Sequence, residues 1–195
     1  PIRTTATRRA LAELGIELSP EVYKNIMING QSSWDLALQA GIEPAHIAAG
    51  QVRRDAYYQS YLRSEDIAID GVVEVLQALA VDYQMAIVTT CKRRDFGLIH
   101  ADDRILQFMQ FVLLREDYER SKPHPEPYLK ALARFAAKAD EALVIEDSER
   151  GLRAAQAAAI DCAIVDNHFT RNHDFTGAQF FLPSLAELPA LLARI

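Results

Sequence analysis

Three short polar segments carry the residue types needed to grip a phosphate. Thr89-Thr90 follows the apolar run 85–88, Ser121-Lys122-Pro123 lies in the stretch after Leu114, and Glu146-Asp147-Ser148 follows the apolar run 142–145. A threonine hydroxyl can donate to a phosphate oxygen, a lysine ammonium offsets anionic charge, and adjacent carboxylates can hold a divalent cation such as Mg2+. Taken singly, each has an ordinary structural reading. Thr89 can close a strand and cap a helix, Lys122 can be a solvated loop lysine, and Glu146-Asp147 can sit at a helix N-terminus, where negative charge is favoured. Their shared placement behind strand-length apolar runs is what joins them.

The elements that must position these residues alternate along the second two-thirds of the chain. Apolar runs at 85–88, 111–114, 142–145, 162–165 and 179–181 read as strands, and segments 72–80, 92–101, 125–137, 151–160 and 184–193 have helical periodicity. Short all-apolar strands alternating with helices predict an α/β fold with a doubly wound parallel sheet covered on both faces. Ligands of such sheets bind outside the carboxyl ends of the strands, where all three polar segments would gather. Before residue 66 every periodic segment reads helical: 4–14, a helix opened by Ser19-Pro20, one capped by Ser32 or Ser33, and the long stretch 44–63. The expected organisation is a helical domain over 1–65 and an α/β core over 66–195.

Composition narrows the function classes. With 27 acidic against 21 basic residues and a net charge of −6, the chain lacks the basic balance of a nucleic-acid binder. No apolar run approaches the roughly 18–20 residues of a membrane-spanning helix. Two cysteines, Cys91 and Cys162, make no disulfide framework and suit a reducing, cytoplasmic setting. The five histidines show no metal-ligand spacing. The expected partner is a small molecule, and the chain is read as a monomer or homodimer.

The quoted segments also resemble a known family. Thr89 after 85–88, the run Lys122-Pro123-His124-Pro125-Glu126-Pro127-Tyr128 and the run Glu146-Asp147-Ser148-Glu149-Arg150-Gly151 are similar to the second, third and fourth motifs of haloacid dehalogenase-like hydrolases. Within that family the adjacent acidic pair is most similar to the sugar-phosphate phosphatases, the phosphoglycolate phosphatases and β-phosphoglucomutase. The resemblance implies Mg2+-dependent phosphoryl transfer on a small phosphorylated metabolite, with residues 1–65 as a helical cap over a Rossmann-like core. It implies that Thr89 hydrogen-bonds the transferring phosphoryl group and that Lys122 stabilises charge on it and on the nucleophile. Asp147 would ligate Mg2+, and Glu146 would do so directly or through water. Thr90, Cys91 and Lys92 would line the phosphate or leaving-group side. Gln31 and Ser32, in the turn 29–33, would reach substrate from the cap. The implied activity is phosphomonoester hydrolysis; a phosphosugar mutase and a catalytically silent binding relative are the alternatives.

One motif departs from the family pattern. The nucleophile there is an aspartate ending the first strand in an Asp-x-Asp segment, and no such segment precedes the helical third. Asp66 and Asp70 are four residues apart rather than two, and Asp70-Gly71 reads as the turn opening the next helix. That strand would lie between those ending at Thr89 and Glu146. Its loss would leave two rows of backbone groups unpaired, each costing on the order of 1–3 kcal/mol when buried. The expectation is therefore about 15–20 further residues ahead of Pro1, carrying the nucleophile.

Overall fold

The computed structural model describes residues 2–28, 31–65, 67, 69–102 and 104–195, with only the backbone of Lys24, Met27 and Ile28. The chain divides into two compact units, residues 1–67 and 68–195. The first is helical: α1 (Ile2–Ala12), α2 (Pro20–Ile28), α3 (Asp35–Gln39) and α4 (Pro44–Ser64). Ala10 and Leu11 of α1, Ile26 of α2, Ala37 of α3 and Ile47 of α4 close around Leu18 and the buried Trp34. Gly50 marks the closest approach to the indole, since a Cβ there would meet Trp34 Cζ3 at 2.9 Å. The tyrosine cluster of α4 packs against α1. The Arg9 guanidinium lies 3.9 Å from the Tyr57 ring centroid, and Tyr57 donates to Glu13, which also pairs with Arg53 at 2.7 Å.

The second unit alternates helix and strand: α5 (Val72–Leu79), β1 (Met85–Val88), α6 (Arg93–Ile99), β2 (Met109–Leu113), α7 (Glu126–Phe135), β3 (Leu143–Glu146), α8 (Glu149–Ala157), β4 (Asp161–Val165), β5 (Phe180–Leu182) and α9 (Leu188–Leu192). Gly71, at φ 74°, turns the chain into α5, as the Asp70-Gly71 pair predicts. Every strand pairing is parallel. The twofold alternation of β4 shows how the faces divide. Cys162 and Ile164 pack with Leu152 and Ala155 of α8 and Tyr128 of α7, whereas Ala163 packs with Val75 and Leu79 of α5 and Leu188 of α9. Helices therefore cover both faces, the doubly wound arrangement expected for an all-parallel sheet.

Several details differ from the sequence reading. The strands form two hydrogen-bonded groups, β1-β2 and β3-β4-β5, rather than one continuous sheet. Among the described residues, β1 and β3 each have a ladder on one side only. Besides hydrophobic packing, a side chain bridges the two groups, because Lys122 Nζ donates both to Val88 O of β1 and to Glu146 of β3. Helix α8 starts at Glu149 rather than 151 because Ser148 Oγ accepts from Gly151 N and caps it. Strand β2 stops at Leu113 because Leu114 N turns to donate to Asp117 Oδ2. The closing segment is a 3-10 turn over Leu185–Glu187 followed by a short α9, which carries Pro189 in its first turn. Among the described residues, no helix is long and apolar enough to cross a membrane.

Leu152 is 1% exposed in the centre of the α7/α8 face. Leu152→Ala should lower unfolding free energy by about 2–5 kcal/mol in denaturant titration. Val52→Ala, on the exposed face of α4, should shift it by no more than about 0.5 kcal/mol.

Candidate active site

The loop from Leu114 to Pro125 delivers Lys122 to the carboxyl ends of β1 and β3, and three devices shape it. Asp117 Oδ2 accepts from Leu114 N at 2.8 Å and turns the chain off β2. Tyr118 donates its hydroxyl to Thr89 O at 2.8 Å, tying the loop to the end of β1. Glu126, at the start of α7, accepts from Glu119 N at 2.8 Å and Arg120 N at 2.9 Å. Those two backbone donors, helped by Lys130 and Arg120, hold the Glu126 carboxyl down at about 2. His124 Nδ1 accepts from Glu126 N at 3.1 Å, and the Lys122–Pro123 peptide is cis.

Lys122 arrives almost fully buried, and its ammonium has three acceptors for its three protons: Val88 O at 2.9 Å, the Tyr128 hydroxyl at 2.8 Å and Glu146 Oε1 at 2.6 Å. Glu146 is saturated in turn. Its Oε1 also accepts from Tyr128 Oη at 2.7 Å, and its Oε2 accepts from Ser148 Oγ at 2.9 Å and Asp147 N at 3.2 Å. Burial works against ionisation of Glu146 and is the strongest single influence on it. The Lys122 charge and the Lys122, Tyr128 and Ser148 donors together outweigh it, so its pKa is lowered. Burial and then the neighbouring Glu146 charge push the Tyr128 phenol well above its ordinary range. The same two causes take the Cys162 thiol up to about 12, so Cys162 is an inert packing residue, as its strand position predicts. Gly151 completes the enclosure, because a Cβ there would overlap the Glu146 carboxyl group.

Thr89 continues the β1 ladder by one bond, its N–H donating to Leu113 O at 2.9 Å, and its hydroxyl oxygen accepts from Cys91 N at 3.1 Å. That leaves the hydroxyl proton for an acceptor at the sheet edge. Thr90, Cys91 and Lys92 form the turn into α6, with Cys91 O accepting from Arg115 N at 3.0 Å. Asp147 behaves unlike its neighbour Glu146. It is exposed, its Oδ2 accepts from Asn167 Nδ2 at 2.6 Å, and among the described residues it forms no ion pair. Lys122 is matched by Glu146, so the Asp147 charge is the uncompensated one. Hard oxygen donors of this kind suit Mg2+, which takes one or two carboxylates and completes its octahedron with water and phosphate oxygens. No group of three or more His, Cys, Asp or Glu side chains able to hold a metal occurs among the described residues.

The structure thus brings Thr89, Thr90, Cys91, Lys92, Lys122, Glu146 and Asp147 to one edge of the strands. Gln31 and Ser32 belong to the other unit. There, Ser32 Oγ accepts from Trp34 N at 3.2 Å, Ser32 N donates to Asp35 Oδ2 at 3.2 Å, and Gln31 N donates to Ile26 O at 3.0 Å. Asn29 and Gly30 of the same turn lie outside the described residues. Sequence reasoning missed Tyr128, Ser148, Gly151 and Asn167 as parts of the site. Tyr128 closes the Lys-Pro run and Ser148 stands three residues before Gly151, a capping spacing. Asn167 follows a strand just as Thr89 and Asp147 do, so the strand-end rule that found them could have found it.

This arrangement defines a parallel α/β protein whose strand ends carry a buried lysine–carboxylate pair beside an open carboxylate. Residues 2–165 match the family profile described as haloacid dehalogenase-like hydrolase. The chain belongs to that family. Protein CbbY of Rhodobacter capsulatus is 27% identical over 154 residues, 76% of this chain and 68% of that protein. In further CbbY proteins the aligned stretch is under a third of their own length. Among solved structures, CbbY from Rhodobacter sphaeroides in complex with xylulose-1,5-bisphosphate has a TM-score of 0.80 at 21% identity, covering 96% of this chain and 88% of that one. β-Phosphoglucomutase from Clostridium difficile has a TM-score of 0.79 at 17% identity, covering 99% and 88%. At those identities the structural likeness speaks for the fold.

Glu126 supplies a pH test of the loop that carries Lys122. Its folded pKa of about 2 lies below the ordinary 4.5, so its contribution to stability is complete above about pH 4.5 and fades as pH falls towards 2. In thermal melts the wild type should exceed Glu126→Gln at pH 7, and the gap should narrow steadily below pH 4.5. A gap independent of pH would contradict the assignment.

Proposed function

We propose that this chain carries the core site of a Mg2+-dependent phosphatase that hydrolyses a small phosphomonoester, a sugar phosphate or phosphoglycolate-like metabolite. The observation that carries the reading is the fixed Lys122 ammonium at the ends of β1 and β3, beside the Thr89 hydroxyl and an uncompensated Asp147 carboxylate. Family membership and the resemblance to CbbY proteins favour the same class. The reading needs a carboxylate nucleophile from a further strand between β1 and β3. The one-sided ladders of those two strands support that placement.

In this reading the transferring phosphoryl group sits over the strand ends. Thr89 donates its hydroxyl proton to a phosphoryl oxygen. Lys122 lends positive potential as the carboxylate nucleophile attacks phosphorus and the P–O bond to the alcohol breaks, releasing the alcohol and forming an aspartyl-phosphate that water then hydrolyses to phosphate and the free carboxylate. Its partner Glu146 keeps the ammonium in place and charged. Asp147 would hold Mg2+, whereas the oxygens of Glu146, the other sequence candidate for the ion, are already filled by protein donors. Mg2+ held there would supply Lewis-acid charge that lowers the repulsion between anions. Thr90, Cys91 and Lys92 flank the leaving group. Residues 1–65 are proposed as the helical cap that selects it, with Gln31 and Ser32 as its candidate substrate contacts. Two cysteines that make no disulfide framework fit a cytoplasmic setting.

The Glu146-Asp147 pair, which in sequence resembles that of β-phosphoglucomutase, keeps a phosphosugar mutase as the second reading. The full native chain should release p-nitrophenol from p-nitrophenyl phosphate with Mg2+ and stop on addition of EDTA. Absence of EDTA-sensitive turnover would refute the phosphatase, and sugar-phosphate isomerisation faster than phosphate release would favour the mutase. Asp147→Asn, at an exposed position, should keep the fold and lower kcat by about 10²–10³-fold, whereas Lys122→Ala should lose turnover together with stability, because it strands the buried Glu146 charge. Near-wild-type turnover in the Asn variant would remove Asp147 from the site.

A further inference from the structure

Asp147 is oriented from outside its own motif. Asn167 lies just beyond β4, and its Nδ2 donates to Asp147 Oδ2 at 2.6 Å while its Oδ1 accepts from Phe169 N at 3.0 Å. The Phe169 N–H can bond only the carbonyl end of the amide, so the amino end must face the carboxylate. A neutral donor grips one oxygen of an ionised carboxylate without adding a positive charge that would compete with a cation. Among the described residues, Asp147 Oδ1 makes no hydrogen bond, so it is left for a ligand.

The segment bearing Asn167 is held along its length. Asp166 N donates to Leu182 O of β5 at 2.8 Å, and Arg171 pairs with Asp166 at 2.6 Å. Asn167 O accepts from Thr170 N at 3.0 Å. At the far end, Glu149 N donates to His173 Nδ1 at 3.3 Å and the buried Glu149 carboxylate accepts from Asp174 N at 3.1 Å. The loop is thus fastened to the first turn of α8, two residues after Asp147, and to β5. From this loop, Asn167 is the residue whose side chain hydrogen-bonds the carboxylate among the described residues.

Resting on the reading of Asp147 as the Mg2+ ligand, we infer that Asn167 is a positioning residue: it holds Asp147 with one oxygen engaged and the other presented, and so sets the affinity of the site for Mg2+. An outer hydrogen bond to a ligating carboxylate typically changes metal affinity by about 10–100-fold. The loss of Asn167 should therefore show in metal binding before it shows in substrate binding.

The full native chain tests this through two readouts, the Mg2+-induced rise in thermal midpoint and the Mg2+ concentration giving half-maximal phosphatase activity. Asn167→Ala should raise the half-maximal Mg2+ about 10–100-fold and weaken the thermal response to match. Its midpoint without Mg2+, and its substrate KM at saturating Mg2+, should stay near wild type. Arg171→Ala cuts the Asp166 staple of the same loop without touching Asp147, and should leave the Mg2+ requirement unchanged. If Asn167→Ala keeps the wild-type Mg2+ response while Asp147→Asn loses it, the inference is overturned and the role of Asp147 stands. Equal weakening by Arg171→Ala and Asn167→Ala also overturns it, because loop order rather than the amide would then set the affinity. A Mg2+ response unaltered in both Asn167→Ala and Asp147→Asn removes the metal reading and the inference together.

Discussion

Lys122 and Glu146 meet at 2.6 Å with less than a tenth of either side chain exposed, and at that depth each charge has lost most of its hydration. Desolvation of this kind costs several kcal/mol per ion unless the remaining hydrogen-bonding capacity is filled. Here it is filled: the ammonium spends its three protons on Val88 O, Tyr128 and Glu146, and the carboxylate receives donors from Lys122, Tyr128, Ser148 and the Asp147 N–H. Several neighbouring features follow from that requirement. Tyr128 must be on the buried face of α7, Ser148 must cap α8 and face back, and position 151 must lack a Cβ.

The pair also does mechanical work in the fold. Backbone ladders join β1 to β2 and β3 to β4 and β5, and among the described residues the hydrogen-bonded bridge between the two groups runs through Lys122. The loop carrying that lysine is accordingly anchored at each stage, by Asp117, by Tyr118 on Thr89 O and by Glu126 on two backbone N–H groups. A site assembled this way is rigid where charge is balanced and open where it is not. The contrast falls between adjacent residues: Glu146 is enclosed and neutralised, while Asp147 is exposed and held by a single uncharged amide.

Much of the fold was legible along the chain because periodicity is a local property. All-apolar runs of strand length and helical spacing in 72–195 specified a parallel, two-faced sheet, and the Cys162, Ala163, Ile164 alternation divided its faces as such sheets require. The four helices of the first third were equally readable. Boundaries were less legible where a side chain competes with the backbone. Ser148 moved the start of α8 and Asp117 ended β2, each through one hydrogen bond that periodicity does not encode.

For the site, sequence alone determined which residue types stand at strand ends, since that follows from local pattern and the rule that ligands meet parallel sheets at their carboxyl edge. Thr89, Lys122, Glu146 and Asp147 were found in this way. The tertiary structure alone decided their division of labour. Residues 34 and 24 positions apart had to converge before Lys122 could bond Val88 and Glu146, and Asn167 had to arrive from 20 positions away to hold Asp147. Hydrogen bonding and desolvation depend on distances in space, and those are set only when the strands and loops have packed.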